Sequence, residues 1–370
     1  MIIALHGYYG YGNLGDDLML YLVLEQLRQR YVTASYRVLL HPDADARLVI
    51  TPPGTQVEMR TVSTWRERYA GVRGAAALVF GGGTCLHRFG FCGMYTNFAA
   101  RLQGVPVAWL GVGADDVGRG KTRLKAKLAL RSCQLASWRD EPSLQIASEL
   151  APRFKDSLVA EDLVFLALDS PTLKVRPQRH SSGKTLVVGW RDLAGYLTDK
   201  EQDRAIQHGA DAVCRIAAAE QIEHVSVIDV ADMIDLDRDA ELAGALARRG
   251  LNVEHCIGLS MQEKVETIAG ADLALFARLH GLMLAKLFGV PAVGVGYASK
   301  LHNFGQLLDR SPVLELRQVV AGASPLVAAL KSEVRTPSEF IRPVAESRRR
   351  AAEHLQLLNQ MLSERRSRAA

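Results

Sequence analysis

Between residues 273 and 300 the chain reads LALFARLHGLMLAKLFGVPAVGVGYASK. A short apolar run closes at Phe276, and the loop after it delivers Arg278 and His280 to the start of a helix read from Gly281 to about residue 288. A second apolar run, PAVGVGY, delivers Lys300 onto the neighbouring loop. Arginine presents a planar fork suited to a carboxylate or phosphate, and lysine a point charge. Histidine ordinarily titrates near neutral pH and can hand over a proton. The helix start at Gly281 adds amide donors and a partial positive charge. One histidine by itself is more often structural. Arg, His and Lys at adjoining strand ends suit a small anion with a proton donor beside it.

Three further loops carry candidate residues. HGYYGYGNLGDD (residues 6–17) has Gly10, Gly12 and Gly15 in GxGxxG order. The dinucleotide reading is poor, because Asp16 and Asp17 fall in the first helical turn and would repel a pyrophosphate. The acid expected about 20 residues on is also missing; Asp43 lies too far along. The loop is then either a tight turn with carboxylates capping a helix, or a hydroxyl-binding loop. In the second case Asn13, Asp16 or Asp17 grips or deprotonates a sugar, with Gly15 in the turn. FGGGTCLHRFG (residues 80–90) places Gly82 and Gly83 after a buried run, either for close approach to an acceptor or for a structural turn. His87 and Arg88 read as surface residues. SWRDEPS (residues 137–143) offers Arg139 as an anion fork, with Asp140 holding it or capping the next helix; a purely structural Arg–Asp pair is the alternative.

The elements that must position these loops read as α/β throughout. Short apolar runs (IIALH, YRVLL, ALVFGG, VAWLGVG, then 135–137 and 158–162) alternate with helical stretches at 17–30, 94–103, 121–132 and 142–150. Residues 168–184, rich in proline, serine and basic residues, read as a connection. A second series follows: TLVVGW, HVSVIDV, LNVEH, LALF and PAVGVGY, with helices near 202–220, 237–249, 261–269 and 281–288. The expected fold is two Rossmann-like doubly wound lobes facing a cleft, residues 1–170 and 184–335. A helix at 344–365, with leucines at helical spacing, can pack back on the first lobe.

Composition bounds the remaining classes. At 370 residues the chain is long enough for two full cores, and its 48% hydrophobic and 23% charged residues are ordinary for a globular protein. Five cysteines with no CxxC spacing suggest neither a disulfide framework nor a zinc site. The N-terminus reads as a first strand instead of a signal peptide, and no segment approaches ~20 apolar residues. The expected location is cytoplasmic. The net charge of +5 is concentrated in SRRRAAEHLQLLNQMLSERRSRAA, a solvated helix face that also allows contact with the inner face of a membrane. Nucleic acid is not expected as a partner.

Taken in order, GNLGDD, GGGTCL, RDEPS, AEDLVF (residues 160–165) and RLHGLMLAKLFGVP resemble the motifs of the polysaccharide pyruvyl transferase family over about residues 8 to 300. Asp17 stands where that family usually has Glu, and AEDLVF replaces a more usual ADPAF-like strand end. The resemblance implies a glycosyltransferase-B-like fold, phosphoenolpyruvate as co-substrate, and a sugar or lipid-linked oligosaccharide acceptor. No further cofactor and no metal are implied. Carried over by motif, Arg139, Arg278, His280, Gly281 and Lys300 surround the donor. Asp16 or Asp17 acts on the acceptor. A carboxylate and a phosphate on one small skeleton need two or three fixed cations, which agrees with the residue types.

Other readings remain. A nucleotide-sugar glycosyltransferase of this fold usually presents a Glu near the C-terminal nucleotide site, and none occurs between Glu266 and Glu315. A non-catalytic glycan-binding homologue would not need candidate residues in every loop. A dinucleotide-dependent oxidoreductase rests on GxGxxG alone.

Overall fold

The computed structural model describes residues 1–87, 93–178 and 183–369. Arg88, the rest of the 84–97 loop at 89–92, and residues 179–182 of the connection lie outside the described residues. The chain forms two compact units. The first comprises Met1–Gly10, Gly15–Thr172 and Pro343–Ala370; the second comprises Tyr11–Leu14 and Leu173–Arg342.

The first unit holds a parallel sheet of β1 (Ile2–His6), β2 (Ser35–Leu40), β3 (Val57–Thr61), β4 (Ala75–Gly81), β5 (Thr84–Leu86), β6 (Val107–Ala114) and β7 (Leu135–Trp138). Its order is β3-β2-β1-β4-β6, with β5 and β7 both paired to β6. The central strands are apolar on both faces because helices cover both, as a wholly parallel sheet requires. The second unit holds β8 (Lys184–Gly189), β9 (Ile222–Ile228), β10 (Val253–Cys256), β11 (Leu273–Phe276), β12 (Ala292–Gly296) and β13 (Val313–Glu315). These are also parallel, in the order β10-β9-β8-β11-β12-β13, the doubly wound dinucleotide-fold order. Two Rossmann-like α/β units are thus present, as the alternation of runs and helices implied.

Several elements differ from the sequence reading. β3 (VEMRT) is a half-exposed edge strand without an apolar run, so nothing in its hydrophobicity marks it. The helix Trp65–Val72 after it is announced only by its capping box, in which Thr64 accepts from the Glu67 amide and Glu67 reaches back. Residues 158–162 form one bridge, Val159 to Trp138, and no strand. Asp162 ends the extension there by accepting from the Val164 amide and opening a short 3-10 segment. The helix expected at 237–249 begins at Asp232, and that expected at 281–288 begins at Leu279. His280 consequently lies inside the first helical turn.

The C-terminal helix Val344–Ala369 packs in the first unit against β6, β7 and the segment Leu163–Asp169, burying Ala351, Leu355, Leu358 and Leu362. His354, fully buried, meets Ser137 Oγ at 2.8 Å and the Glu161 carbonyl at 3.0 Å. Gly111 sits at φ +59 with the His354 ring 3.2 Å from where a Cβ would stand, so the strand can only be glycine there. Arg348 pairs with Asp169 at 2.8 Å, and Arg350 donates to the Val159 carbonyl at 2.8 Å. Part of the basic tail expected to be solvated is therefore spent on anchoring the helix.

Candidate functional site

In the second unit the strand order reverses between β8 and β11. Ligands of doubly wound sheets bind outside the carboxyl ends at such a point. Trp190, Arg191 and Asp192 follow β8, Arg278 follows β11, and Tyr297 to Lys300 follow β12. The guanidinium carbon of Arg191 lies 3.9 Å from the Tyr297 ring centroid, and Lys300 Nζ lies 5.6 Å from it. Tyr196 meets Tyr297 edge to face at 5.1 Å. Burial would raise the Tyr297 hydroxyl, but Lys300, Arg191 and Arg278 outweigh it and bring it down to about 8. Burial and then Arg278 hold Arg191 below the ordinary guanidinium range. Arg191, Arg278 and Lys300 therefore converge on one phenol.

An acidic helix face positions two of the three loops. Asp232, Asp235 and Asp239 stand at i, i+3 and i+7 of the helix Asp232–Ala247, on one side of it. Asp235 Oδ2 accepts from Arg278 Nε at 2.5 Å, and its Oδ1 accepts from the Asp192 amide at 3.1 Å. Asp239 Oδ1 accepts from the Trp190 amide at 2.7 Å. Burial pushes the Asp239 carboxyl well above the carboxylate range. Asp235 orients the Arg278 fork through its Nε. The chemistry such a constellation suits is binding of a compact, multiply charged anion.

Arg278, Lys300 and His280 thus occur in one unit, His280 as the second residue of the helix Leu279–Leu287, half-buried. Gly281 is buried, and a Cβ there would stand 2.5 Å from the Phe276 ring. Its side-chain absence serves the packing of this helix onto the end of β11. Arg191, Tyr297 and Asp235 were missed by sequence reading. Arg191 follows an apolar run in GWRD much as Arg139 does in SWRD, and the Asp232–Asp235–Asp239 spacing was visible.

Asn13 also belongs to the second unit, bridged to Ala231, with the Leu14 amide on the Val230 carbonyl at 2.9 Å. Gly12 sits at φ +66, and a Cβ there would stand 2.6 Å from the Asp232 carboxylate. Lys264 pairs with Asp232 and donates to the Gly12 carbonyl at 3.3 Å. The middle glycine of GxGxxG therefore faces a carboxylate, which is incompatible with a pyrophosphate cradle.

In the first unit Arg139 follows β7 and is buried against Gly113, whose missing Cβ makes room for the guanidinium. It donates to Asp162 at 3.3 Å and to Thr84 Oγ1 at 2.9 Å, and lies 3.6 Å from Asp140. Burial alone would lower the arginine, but Asp162, Asp140 and Asp16 reverse this and hold it above its ordinary range. Asp140 also caps the next helix by accepting from the Ser143 amide at 2.8 Å. The two alternatives read for Asp140 are both realised.

Asp16 and Asp17 lie in the first turn of the helix Leu14–Arg30, where Gly15 is buried. Asp17 accepts from the Gly10 amide at 2.9 Å and so clasps its own loop. Asp16 instead points at Gly83, its Oδ1 2.6 Å from where a Cβ would stand. Gly82 and Gly83 both have φ +77, and a Cβ on Gly82 would collide with Met19. The room left by these two glycines is taken by the first helix, which is what the structural-turn alternative requires.

Solved structures of similar fold include the UDP-GlcNAc 2-epimerases of Methanocaldococcus jannaschii and Neisseria meningitidis. The first has a TM-score of 0.67 at 9% identity, covering 97% of this chain and 99% of that one. The second has a TM-score of 0.64 at 11% identity, covering 97% and 99%. At such identity they show the fold alone, of glycosyltransferase-B type. No curated protein matches the sequence. The family model for polysaccharide pyruvyl transferase matches residues 13–299. The chain belongs to the polysaccharide pyruvyl transferase family. It is therefore a member of an enzyme family whose name specifies both the group transferred and the class of acceptor. The pyruvyl transferase match spans Asp16, Arg139, Arg191, Arg278, His280 and Tyr297, and stops one residue short of Lys300. Among the described residues no helix is long and apolar enough to cross a membrane.

Proposed function

We propose that this pyruvyl transferase takes phosphoenolpyruvate as donor and converts two hydroxyls of one glycan sugar into a cyclic pyruvate ketal during assembly of a cell-surface polysaccharide. The convergence of Arg191, Arg278 and Lys300 on Tyr297 carries this reading. Phosphoenolpyruvate bears a carboxylate and a phosphate on three carbons, and three fixed cations at one strand-end cluster match that charge. We assign Arg278, Arg191 and Lys300 to the donor's anionic groups, with the start of the helix Leu279–Leu287 adding amide donors.

His280 is the assigned general acid. It protonates the methylene carbon, leaving an oxocarbenium-like centre at the neighbouring carbon. One sugar hydroxyl attacks that centre and gives its proton to a base. The bond from carbon to phosphate oxygen then breaks, phosphate leaves and takes up one proton, equivalent to the one the base received, and the second hydroxyl closes the ketal. The proton of the second hydroxyl balances the one His280 supplied. The cations that bind the donor also stabilise the departing phosphate. On the acceptor side Asp16 is the assigned base, in preference to Asp17, whose oxygen holds the Gly10 amide. Arg139, expected among the donor's cations, is reassigned to positioning. Its guanidinium is engaged by Asp162 and Thr84 and lies in the field of Asp16.

The test is phosphate release from phosphoenolpyruvate across nucleotide-, lipid- and oligosaccharide-linked acceptors. Release with one acceptor class, accompanied by a ketal on the product, supports the reading. Thermal stabilisation by a nucleoside diphosphate and none by phosphoenolpyruvate would replace it with a nucleotide-sugar enzyme.

A further inference from the structure

We infer that the outer face of three neighbouring helices in the first unit docks on an anionic lipid surface. The helices are Trp65–Val72, Met94–Leu102 and Lys121–Ser132, packed side by side. They are laced by Arg68 to Thr96 Oγ1 at 3.1 Å, by Gln103 to the Tyr69 carbonyl at 2.8 Å, and by Arg101 to the Arg131 carbonyl at 3.4 Å. Each helix follows a strand of a parallel sheet and runs back along it. Their N-termini therefore stand at the carboxyl edge of the sheet, where Gly83, Arg139 and Asp16 also lie.

Two properties set this face apart from an ordinary solvated one. The first is charge. The helix Lys121–Ser132 carries Lys121, Arg123, Lys125, Lys127 and Arg131 and no acid. Across all three helices the one acid is Glu67, and its carboxylate is already spent on the Ser63 and Thr64 amides. The second is exposed apolar bulk. Trp65 is 44% exposed, Tyr95 54% and Leu124 56%, each within about one turn of its helix N-terminus, and Tyr69 is exposed one turn beyond Trp65. Arg123 pairs with Glu149 of the next helix at 3.7 Å across an exposed gap, which leaves the face with a large excess of positive charge. Singly exposed apolar residues need no explanation, but aromatic rings interleaved with an excess of cations are what an anionic membrane interface selects. Nucleic acid would use the same cations, yet it has no use for the exposed aliphatic Leu124 and Leu102.

The surface differs from the one expected in sequence. The C-terminal helix is basic, but its Arg348 is committed to Asp169 and Arg350 to Val159. Its leucines face inward. A bilayer at the carboxyl edge of the first sheet would bring a lipid-linked acceptor to the side where Asp16 lies. In that respect the inference deepens the acceptor side of the function proposed above, on which its purpose rests.

The experiment is co-sedimentation of the full-length protein with vesicles of phosphatidylglycerol and phosphatidylcholine, against vesicles of phosphatidylcholine alone. The wild type is expected to bind the anionic vesicles and to be released by ~0.5 M salt. The triple variant Lys121→Glu, Arg123→Glu, Lys125→Glu should partition at least ~tenfold more weakly. A control with the same charge change at exposed residues of the second unit, Lys200→Glu, Arg248→Glu, Arg335→Glu, should bind within about twofold of wild type. Trp65→Ser with Tyr95→Ser should also weaken binding to the anionic vesicles at low salt, and undiminished binding would overturn the aromatic part of the inference. Equal loss in the triple variant and its control, equal binding to both vesicle types, or tighter binding to an oligonucleotide than to anionic vesicles would each overturn the inference. Circular dichroism of every variant excludes unfolding. Because binding needs no turnover, a failure here and a failure to release phosphate are read separately.

Discussion

The guanidinium of Arg191 lies 3.9 Å over the ring of Tyr297, and the two residues come from loops after different strands, β8 and β12. A cation over a ring face is attracted by the ring's quadrupole, more strongly when water is excluded. The stack therefore fixes Arg191 beside Arg278, against the burial and then the repulsion that lower Arg191. Tyr297 holds like charges together, and its own proton is the sensitive point of the arrangement.

That sensitivity sets a pH dependence. The Tyr297 hydroxyl titrates at about 8, so it is neutral at pH 7 and becomes a phenolate as pH rises through that value. A phenolate cancels one of the three cations and weakens their hold on an anion. The apparent KM for phosphoenolpyruvate should rise above about pH 8 in the wild type, and Tyr297→Phe should remove the rise. An identical KM profile in both proteins would show that the phenol does not control the cluster.

Arg278→Ala removes a charge-assisted contact worth about 1.5–3 kcal/mol, which corresponds to roughly a 10- to 100-fold rise in donor KM. Arg278→Lys should recover little, because only the arginine fork can keep Nε on Asp235 while its terminal nitrogens reach elsewhere. Both variants leave Asp235 less well paired, so melting temperatures accompany the kinetics. An unchanged donor KM in a folded Arg278→Ala protein would move the donor away from this cluster.

His280→Ala should reduce phosphate release by on the order of 100-fold or more, the usual loss for a general acid. Donor binding should persist, read as the rise in melting temperature with phosphoenolpyruvate. Near wild-type turnover would remove His280 from the mechanism.

The two neighbouring aspartates should separate. Asp16→Asn is expected to lower kcat with little effect on stability. Asp17→Ala leaves the buried Gly10 amide without its acceptor and should cost about 1–3 kcal/mol of stability. Chemical denaturation and steady-state kinetics on the pair distinguish them, and the reverse pattern would exchange their roles.

Acid should destabilise the first unit through His354. Burial holds it at about 4 in the folded protein, against an ordinary value near 6.5. The unfolded chain therefore binds the proton first. Stability is full above pH 6.5 and falls as pH drops from there toward 4, by about 3 kcal/mol at most from this residue. His6, held at about 3 by burial, adds to the same loss. His354→Gln keeps hydrogen-bonding capacity toward Ser137 and Glu161 and should flatten part of the decline in melting temperature.

Much of the fold was legible in one dimension. Fully buried parallel strands must be short apolar runs, and the helices between them must be amphipathic, so the two α/β series stood out from residue order alone. The same logic hid β3, whose edge position demands no apolar run, and the bridge at Val159, where the Asp162 cap stops an otherwise strand-like stretch. The cationic loop Arg278–His280 and Lys300 were also legible, because a strand end followed by a helix start is a local pattern.

What the sequence determined by itself, then, was which residues stand at strand ends and which chemistry their types permit. Only the tertiary structure decided which of them meet. Strand order is set by long-range pairing that leaves no local mark. It is the adjacency of β8, β11 and β12 that brings Arg191, 87 residues before Arg278, into the same cluster. Packing likewise decided the fate of the glycines: Gly82 and Gly83 make room for Met19 and Asp16, and Gly281 for Phe276. A glycine in a sequence declares that space is needed beside the backbone. What fills that space is a property of the folded neighbours.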